Sequence, residues 1–163
     1  MELPKRKSKR LKGFDYSTEG YYFVTICTHK HKLIFSKIVG QGLAPAENTL
    51  TPFGKIAEAQ LLALEHRFSC VQIHKYVIMP NHIHAIIVLT SESKEKPSVS
   101  LSDIVCVFKS MTTRLCHQQQ NTGQIFQASF HDHIIRGEQN YLNIWQYIDS
   151  NPNKWEKDCF FSE

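Results

Sequence analysis

Two histidines, His82 and His84, sit two residues apart inside a run of β-branched and aliphatic residues that ends at Leu89. Such a run reads as a strand. Side chains alternate along a strand, so both rings project from one face. Two imidazoles on one rigid face can chelate a divalent cation. The pair alone reads at least as readily as two ordinary hydrogen-bonded histidines. Tyr147 and Asn151 are four apart in a segment with helical spacing, so they share a helix face. A tyrosine hydroxyl can act as a nucleophile through a covalent intermediate. Its ordinary pKa near 10 means that it needs a cation or a base at neutral pH. An asparagine amide oxygen can add a hard ligand beside two imidazoles. Together the four residues would suit metal-assisted phosphoryl transfer. Each has a plainer reading. Tyr147 shares its helix with Tyr141 and Trp145, and can be an amphipathic packing residue. Asn151 precedes Pro152, so it can cap a following helix, and a residue before proline is expected outside the helical region.

The elements that must position these residues follow from periodicity. Residues 21–27, 71–79, 82–89 and 129–136 are apolar and β-branched enough for strands. Pro80 and Asn81 interrupt the second and third, which suggests a hairpin. Residues 40–50 read as a loop, with Gly42, Pro45 and Asn48. Thr51-Pro52 reads as a helix start, with an apolar face continuing to about residue 67. Ser100 to Asp103 resembles a capping box for a helix over 101–118. A third helix runs from Glu138 to near Pro152 and carries Tyr147. The order strand, helix, strand, strand, helix, strand predicts an α+β fold. It is the ferredoxin-like split βαβ plan: a four-stranded antiparallel sheet with helices packed on it, plus a C-terminal helix. No linker or repeat divides residues 1–163, so one domain is expected.

Net charge is +4, and five cysteines include no C-x-x-C pair. This argues against a disulfide framework or a zinc knuckle and for a reducing cytoplasm. No apolar run is long enough for a bilayer. Lys5, Arg6, Lys7, Lys9, Arg10 and Lys12 concentrate positive charge in residues 1–13, which suits nucleic acid as well as a solvated tail. Lys109, in the second helix, is a further DNA candidate. His131 and His133 form a second H-x-H around the charged Asp132 and are left out of the metal set.

Met79-Pro80-Asn81-His82-Ile83-His84 resembles the histidine–hydrophobe–histidine motif of the HUH single-tyrosine transposases. Residues 129–136 with Tyr147-Ile148-Asp149-Ser150-Asn151-Pro152 resemble the REP-associated tyrosine transposases. So do the front-end segments 6–16 and 22–28, and Phe108-Lys109-Ser110. The resemblance implies nicking and rejoining of single-stranded DNA near hairpins through a 5′-phosphotyrosine on Tyr147. It implies Mg2+ or Mn2+ on His82, His84 and Asn151, and a monomer or homodimer. Two other functions compete: a non-catalytic nucleic-acid-binding ferredoxin-like protein, and a His-ligated metal hydrolase that forms no covalent adduct.

Overall fold

The computed structural model describes residues 10–40, 45–91 and 99–162. Its strands are β1 (Gly20–Cys27), β2 (Ser36–Val39), β3 (Glu47–Leu50), β4 (Val71–Ile78), β5 (His82–Leu89) and β6 (His131–Ile135). Its helices are α1 (Pro52–Leu62), α2 (Leu64–Arg67), α3 (Leu101–Gln119) and α4 (Glu138–Ser150), followed by a 3-10 turn at Pro152–Lys157. Four strands form one antiparallel sheet in the order β4-β5-β1-β6. Without the small β2–β3 ribbon, this is the ferredoxin-like order expected from the sequence.

The two faces of the sheet differ. Tyr22, Val24 and Ile26 of β1 join Ile83, Ala85, Ile87 and Leu89 of β5 in one large buried cluster under α1 and α3. The opposite face carries a small buried cluster, Ile86, Val88 and Ile135, covered by Ile148 of α4. The one-residue alternation of β5 thus sends apolar residues one way and His82, His84, Ile86 and Val88 the other.

Helix starts follow the sequence signals. Thr51 Oγ1 accepts from Gly54 N–H at 3.0 Å and donates to Ile34 O. Losing such a cap costs about 1 kcal/mol. Gly54 is required for contact: a Cβ there would stand 1.9 Å from the carbonyl oxygen of Phe35. Ser100 and Asp103 complete a reciprocal capping box. The expected loop over 40–50 instead contains β3, paired with β2. These strands are four residues each with every second residue exposed, too short a run for the alternation by which strands are recognised. The helix expected to reach residue 67 divides at Ala63 into α1 and α2. Lys5, Arg6, Lys7 and Lys9 lie outside the described residues. Among the described residues, no helix is long and apolar enough to cross a membrane.

Candidate active site

His82 and His84 lie on β5 opposite Cys27 and Thr25 of β1. They are 0 % and 1 % exposed, and their ring centroids are 4.5 Å apart. Each ring is held by its Nδ1. Asn81 Oδ1 lies 2.9 Å from His82 Nδ1. The Asn81 amide nitrogen donates to Phe160 O at 2.7 Å, which fixes the oxygen toward the ring. An amide oxygen only accepts, so His82 carries its proton on Nδ1 and presents Nε2 as a lone pair. His84 Nδ1 lies 2.8 Å from Thr25 Oγ1. Outer partners of this kind set the tautomer of metal-binding histidines.

Both Nε2 atoms face α4 and the segment after it. Tyr147 Oη lies 3.4 Å from His84 Nε2, and its ring stands edge-on to Phe23. One turn later Asn151 is buried, at 2 % exposed. Its amide nitrogen donates to Asp158 Oδ2 at 3.0 Å. Asp158 Oδ2 is also 3.8 Å from His82 Nε2. His82 Nε2 and Asn151 Oδ1 are buried without hydrogen-bond partners. Buried polar atoms are rarely left unpaired.

Burial governs the charge states. It pushes His82 down to about 4, against the opposing pull of Asp158 and Asn151. Burial and the neighbouring His82 hold His84 well below the ordinary histidine value. Both rings are therefore neutral at neutral pH, the form that binds metals, and the contact with Asp158 is not an ion pair. The Tyr147 hydroxyl is pushed up by burial, then by the negative charge of Asp158 and by Cys159, with the nearby Asn151 side chain opposing.

The donors fit a cation. Ligand atoms of His82, His84 and Asp158 all lie within 4.8 Å of one another. Octahedral ligands about 2.1 Å from Mg2+ are roughly 3–4 Å apart, so a small closure would complete the set. Two imidazoles with amide and carboxylate oxygens form a mixed donor set that suits first-row divalent ions.

The structure brings Tyr147, His82, His84 and Asn151 together. Asn151 itself has helical φ −59 and ψ −43 and no side-chain cap bond. The expected departure from helical geometry before Pro152 does not occur, because the chain turns directly from α4 into the 3-10 turn. Sequence reasoning does not reach Asp158, which lies beyond a turn whose geometry no local pattern encodes. It passes over Asn81 and Thr25 as well, although Asn81 directly precedes the motif. Tyr76 is on the other face, donating to Glu58 Oε1 at 2.9 Å.

Of the basic residues expected at DNA, Arg10 and Lys12 line one groove with Tyr16, Asp132, Arg136 and Asn140, about 700 Å³ in volume. Arg10 also lies 4.7 Å from the centre of the Phe130 ring. Lys109 does not join them. Its ammonium donates to Gln127 O and Ser129 O at 2.8 Å each, so it braces the segment before β6 rather than standing free for a phosphate. Burial accordingly lowers its pKa.

The family model described as "Transposase IS200 like" matches residues 55–151. An uncharacterized protein of Haemophilus influenzae (strain Rd) is 32 % identical over 172 residues, covering 96 % of this chain and 93 % of its own. Two solved structures share the fold. A REP-associated tyrosine transposase bound to a REP hairpin matches with a TM-score of 0.64 and 19 % identity, over 89 % of this chain and 73 % of its own. A candidate transposase from Deinococcus radiodurans R1 matches with a TM-score of 0.51 and 16 % identity, over 88 % and 97 %.

Proposed function

The chain belongs to the IS200-like transposase family, and on that premise we propose that it nicks and rejoins single-stranded DNA beside a hairpin, with Tyr147 as the nucleophile. The observation that carries this is the placing of the Tyr147 hydroxyl 3.4 Å from His84 Nε2, next to two buried donor atoms without partners. A site built only for binding needs neither a nucleophile nor open metal ligands. His82 Nε2, His84 Nε2 and Asn151 Oδ1 would hold Mg2+ or Mn2+, with Asp158 as a fourth donor or as the group that orients the Asn151 amide. A divalent cation bound there supplies positive charge to the scissile phosphate and offsets the burial and the carboxylate that disfavour the tyrosinate.

Tyr147 Oη attacks phosphorus and gives up its proton. The P–O3′ bond breaks, the leaving O3′ takes up a proton to become a free 3′-hydroxyl, and the fragment 3′ of the cut stays on Tyr147 through its 5′-phosphate. In rejoining, a 3′-hydroxyl attacks the same phosphorus and Tyr147 Oη leaves with a proton restored. Neither step consumes water, so the phosphodiester energy is retained. The solved relative bound to a REP hairpin supports hairpin DNA as the substrate class. The groove at Arg10, Lys12 and Arg136, together with Lys5, Arg6, Lys7 and Lys9, would contact its phosphates.

The test is incubation with hairpin-bearing single strands, followed by mass spectrometry of covalent adducts. A nucleotide on Tyr147 is expected, with none formed in EDTA. Tyr147→Phe should bind the strand yet form no adduct and release no product. An adduct on another tyrosine, or cleavage by the phenylalanine variant, would sink the assignment. Cleavage without any adduct would favour the hydrolase.

A further inference from the structure

Tyr21, His74 and Tyr141 form a second aromatic cluster on the α4 face, outside the site described above. Tyr21 starts β1, His74 is in β4 and Tyr141 is in the first turn of α4. Tyr21 meets both other rings edge-on at 5.6 Å. His74 meets Tyr141 at 6.1 Å, with Nδ1 3.0 Å from its hydroxyl oxygen. With Ile135, Gly137 and Glu138 they wall a pocket of about 470 Å³.

The sheet is irregular beside the pocket. Ile73 pairs with Ile87, and Lys75 pairs with Ile86. His74 therefore has no partner on β5. Gln72 and Lys75 both oppose residues of the α4 face; His74, two residues after Gln72 and with Nε2 3.2 Å from its Oε1, stays on that face against Tyr141, and the extra residue adds Lys75 to it. A bulge that re-aims a side chain is a recurrent feature beside functional sites. Here it sets Lys75 on the α4 face beside His74, where it pairs with Asp149 at 2.6 Å.

We infer that this pocket receives a nucleobase of the single strand processed at Tyr147. The inference rests on the proposed function. Three features identify the occupant. Tyr21 is 42 % exposed, so an aromatic surface is available for a planar group to stack upon. Glu138 places a carboxylate on the wall, which repels a phosphate and accepts hydrogen bonds from a base amine. Ile135 and Gly137 flank Arg136, which belongs to the neighbouring basic groove. A strand crossing this edge can thus keep phosphates at the cations and turn a base toward the tyrosines. Tyr141 and Tyr147 share α4 and are six residues apart, about 9 Å along the axis. The bound base therefore belongs within about three nucleotides of the cut, at 3.4 Å per stacked nucleotide. Because the carboxylate accepts, cytosine, adenine or guanine should be preferred to thymine.

The test uses the full chain carrying Tyr147→Phe, so that binding is read without reaction, and a fluorescent hairpin with a single-stranded flank. An abasic site is walked through the flank one position at a time, and affinity is measured for chains with Tyr21, Tyr21→Phe and Tyr21→Leu. The expected result is one position near the cut where base removal weakens binding roughly tenfold. Tyr21→Leu should weaken the intact strand by a similar factor and abolish the penalty at that position alone. Tyr21→Phe should retain both. Equal affinity of Tyr21 and Tyr21→Leu chains, or a flat abasic profile, overturns the pocket while leaving nicking at Tyr147 intact. Unchanged DNA affinity with loss of a concentration-dependent dimer in Tyr21→Leu overturns it in favour of a second copy of the chain. No binding of any hairpin strand would overturn the proposed function, and this pocket with it.

Discussion

Two of the chain's H-x-H spacings lie in strands of one sheet, and these two have different fates. His82 and His84 sit on β5, an interior strand, and are almost wholly buried. His131 and His133 sit on β6, an edge strand, and face the same side of the sheet, since His131 pairs with Thr25 and Thr25 with His84. Spacing points the two rings of each pair in one direction. It does not make both pairs ligands. The interior pair has a fixed partner on each Nδ1 and delivers two Nε2 atoms to one point. The edge pair is dispersed: His133 Nε2 meets Asn140 Oδ1 at 3.1 Å, and His131 lies near the Phe160 ring at 6.2 Å. An H-x-H is equipped to chelate where neighbouring groups hold the far nitrogens and burial keeps the rings neutral.

The largest separation between the pairs should appear in strand cleavage. His82→Ala or His84→Ala should reduce it by about 10³-fold, the equivalent of roughly 4 kcal/mol of transition-state stabilisation. Thermal melting should show that each variant still folds. Cleavage that survives either change would put the interior pair on the same footing as the edge pair. Next is the outer partner: Thr25→Val should weaken Mn2+ binding about 10- to 100-fold, measured calorimetrically, with the cluster otherwise intact. Unaltered affinity would mean that the hydroxyl does not orient His84.

Acid stability should reveal the neutral burial. The folded pKa values of His82 and His84 lie below the ordinary 6.5, His82 at about 4. The unfolded chain therefore binds more protons between about pH 6.5 and 4. Stability is full above pH 6.5 and falls as the pH drops through that window, by about 1.4 kcal/mol per pH unit for each such histidine. Denaturant titrations of metal-free protein should show this loss, and should show less of it in His84→Gln. A profile independent of pH would contradict the burial. The smallest effect belongs to the edge pair: His133→Ala should change stability by no more than about 0.5 kcal/mol and leave cleavage within a factor of two or so.

Much of the interior pair's role is legible in the sequence. A period of two places His82 and His84 on one face, and a period of 3.6 places Tyr147 and Asn151 on another. What periodicity cannot state is how the two faces meet. Asp158 reaches the histidines only because the chain turns back after α4, and nothing around it in sequence marks that turn. The same limit explains Lys75 and Tyr76: a one-residue slip in β4 puts Lys75 on the α4 face and Tyr76 in the core, and the slip leaves no signature in residue type. The β2–β3 ribbon escapes sequence reading for a different reason, since four-residue strands are too short to impose a pattern. Lys109 shows how a helix position conceals its partners. A lysine in a helix suggests a free charge, but two carbonyls brought by the segment before β6 engage it.

The strand order also gives the site a place in time. β1 is synthesised among the first elements, yet its neighbours in the finished sheet are β5 and β6, so it must wait for partners made much later. The histidine pair is translated long before Asp158, 76 positions further on. At about 5–20 residues per second this is an interval of roughly 4–15 seconds. For most of it a nascent chain owns two imidazoles without Tyr147, and for all of it without Asp158. The same connectivity favours slow closure, because contacts between distant segments carry a large loop entropy. A prematurely terminated product would hold the histidines and lack the tyrosine. On the proposed function, cutting competence would wait until Tyr147 and Asp158 have both been made.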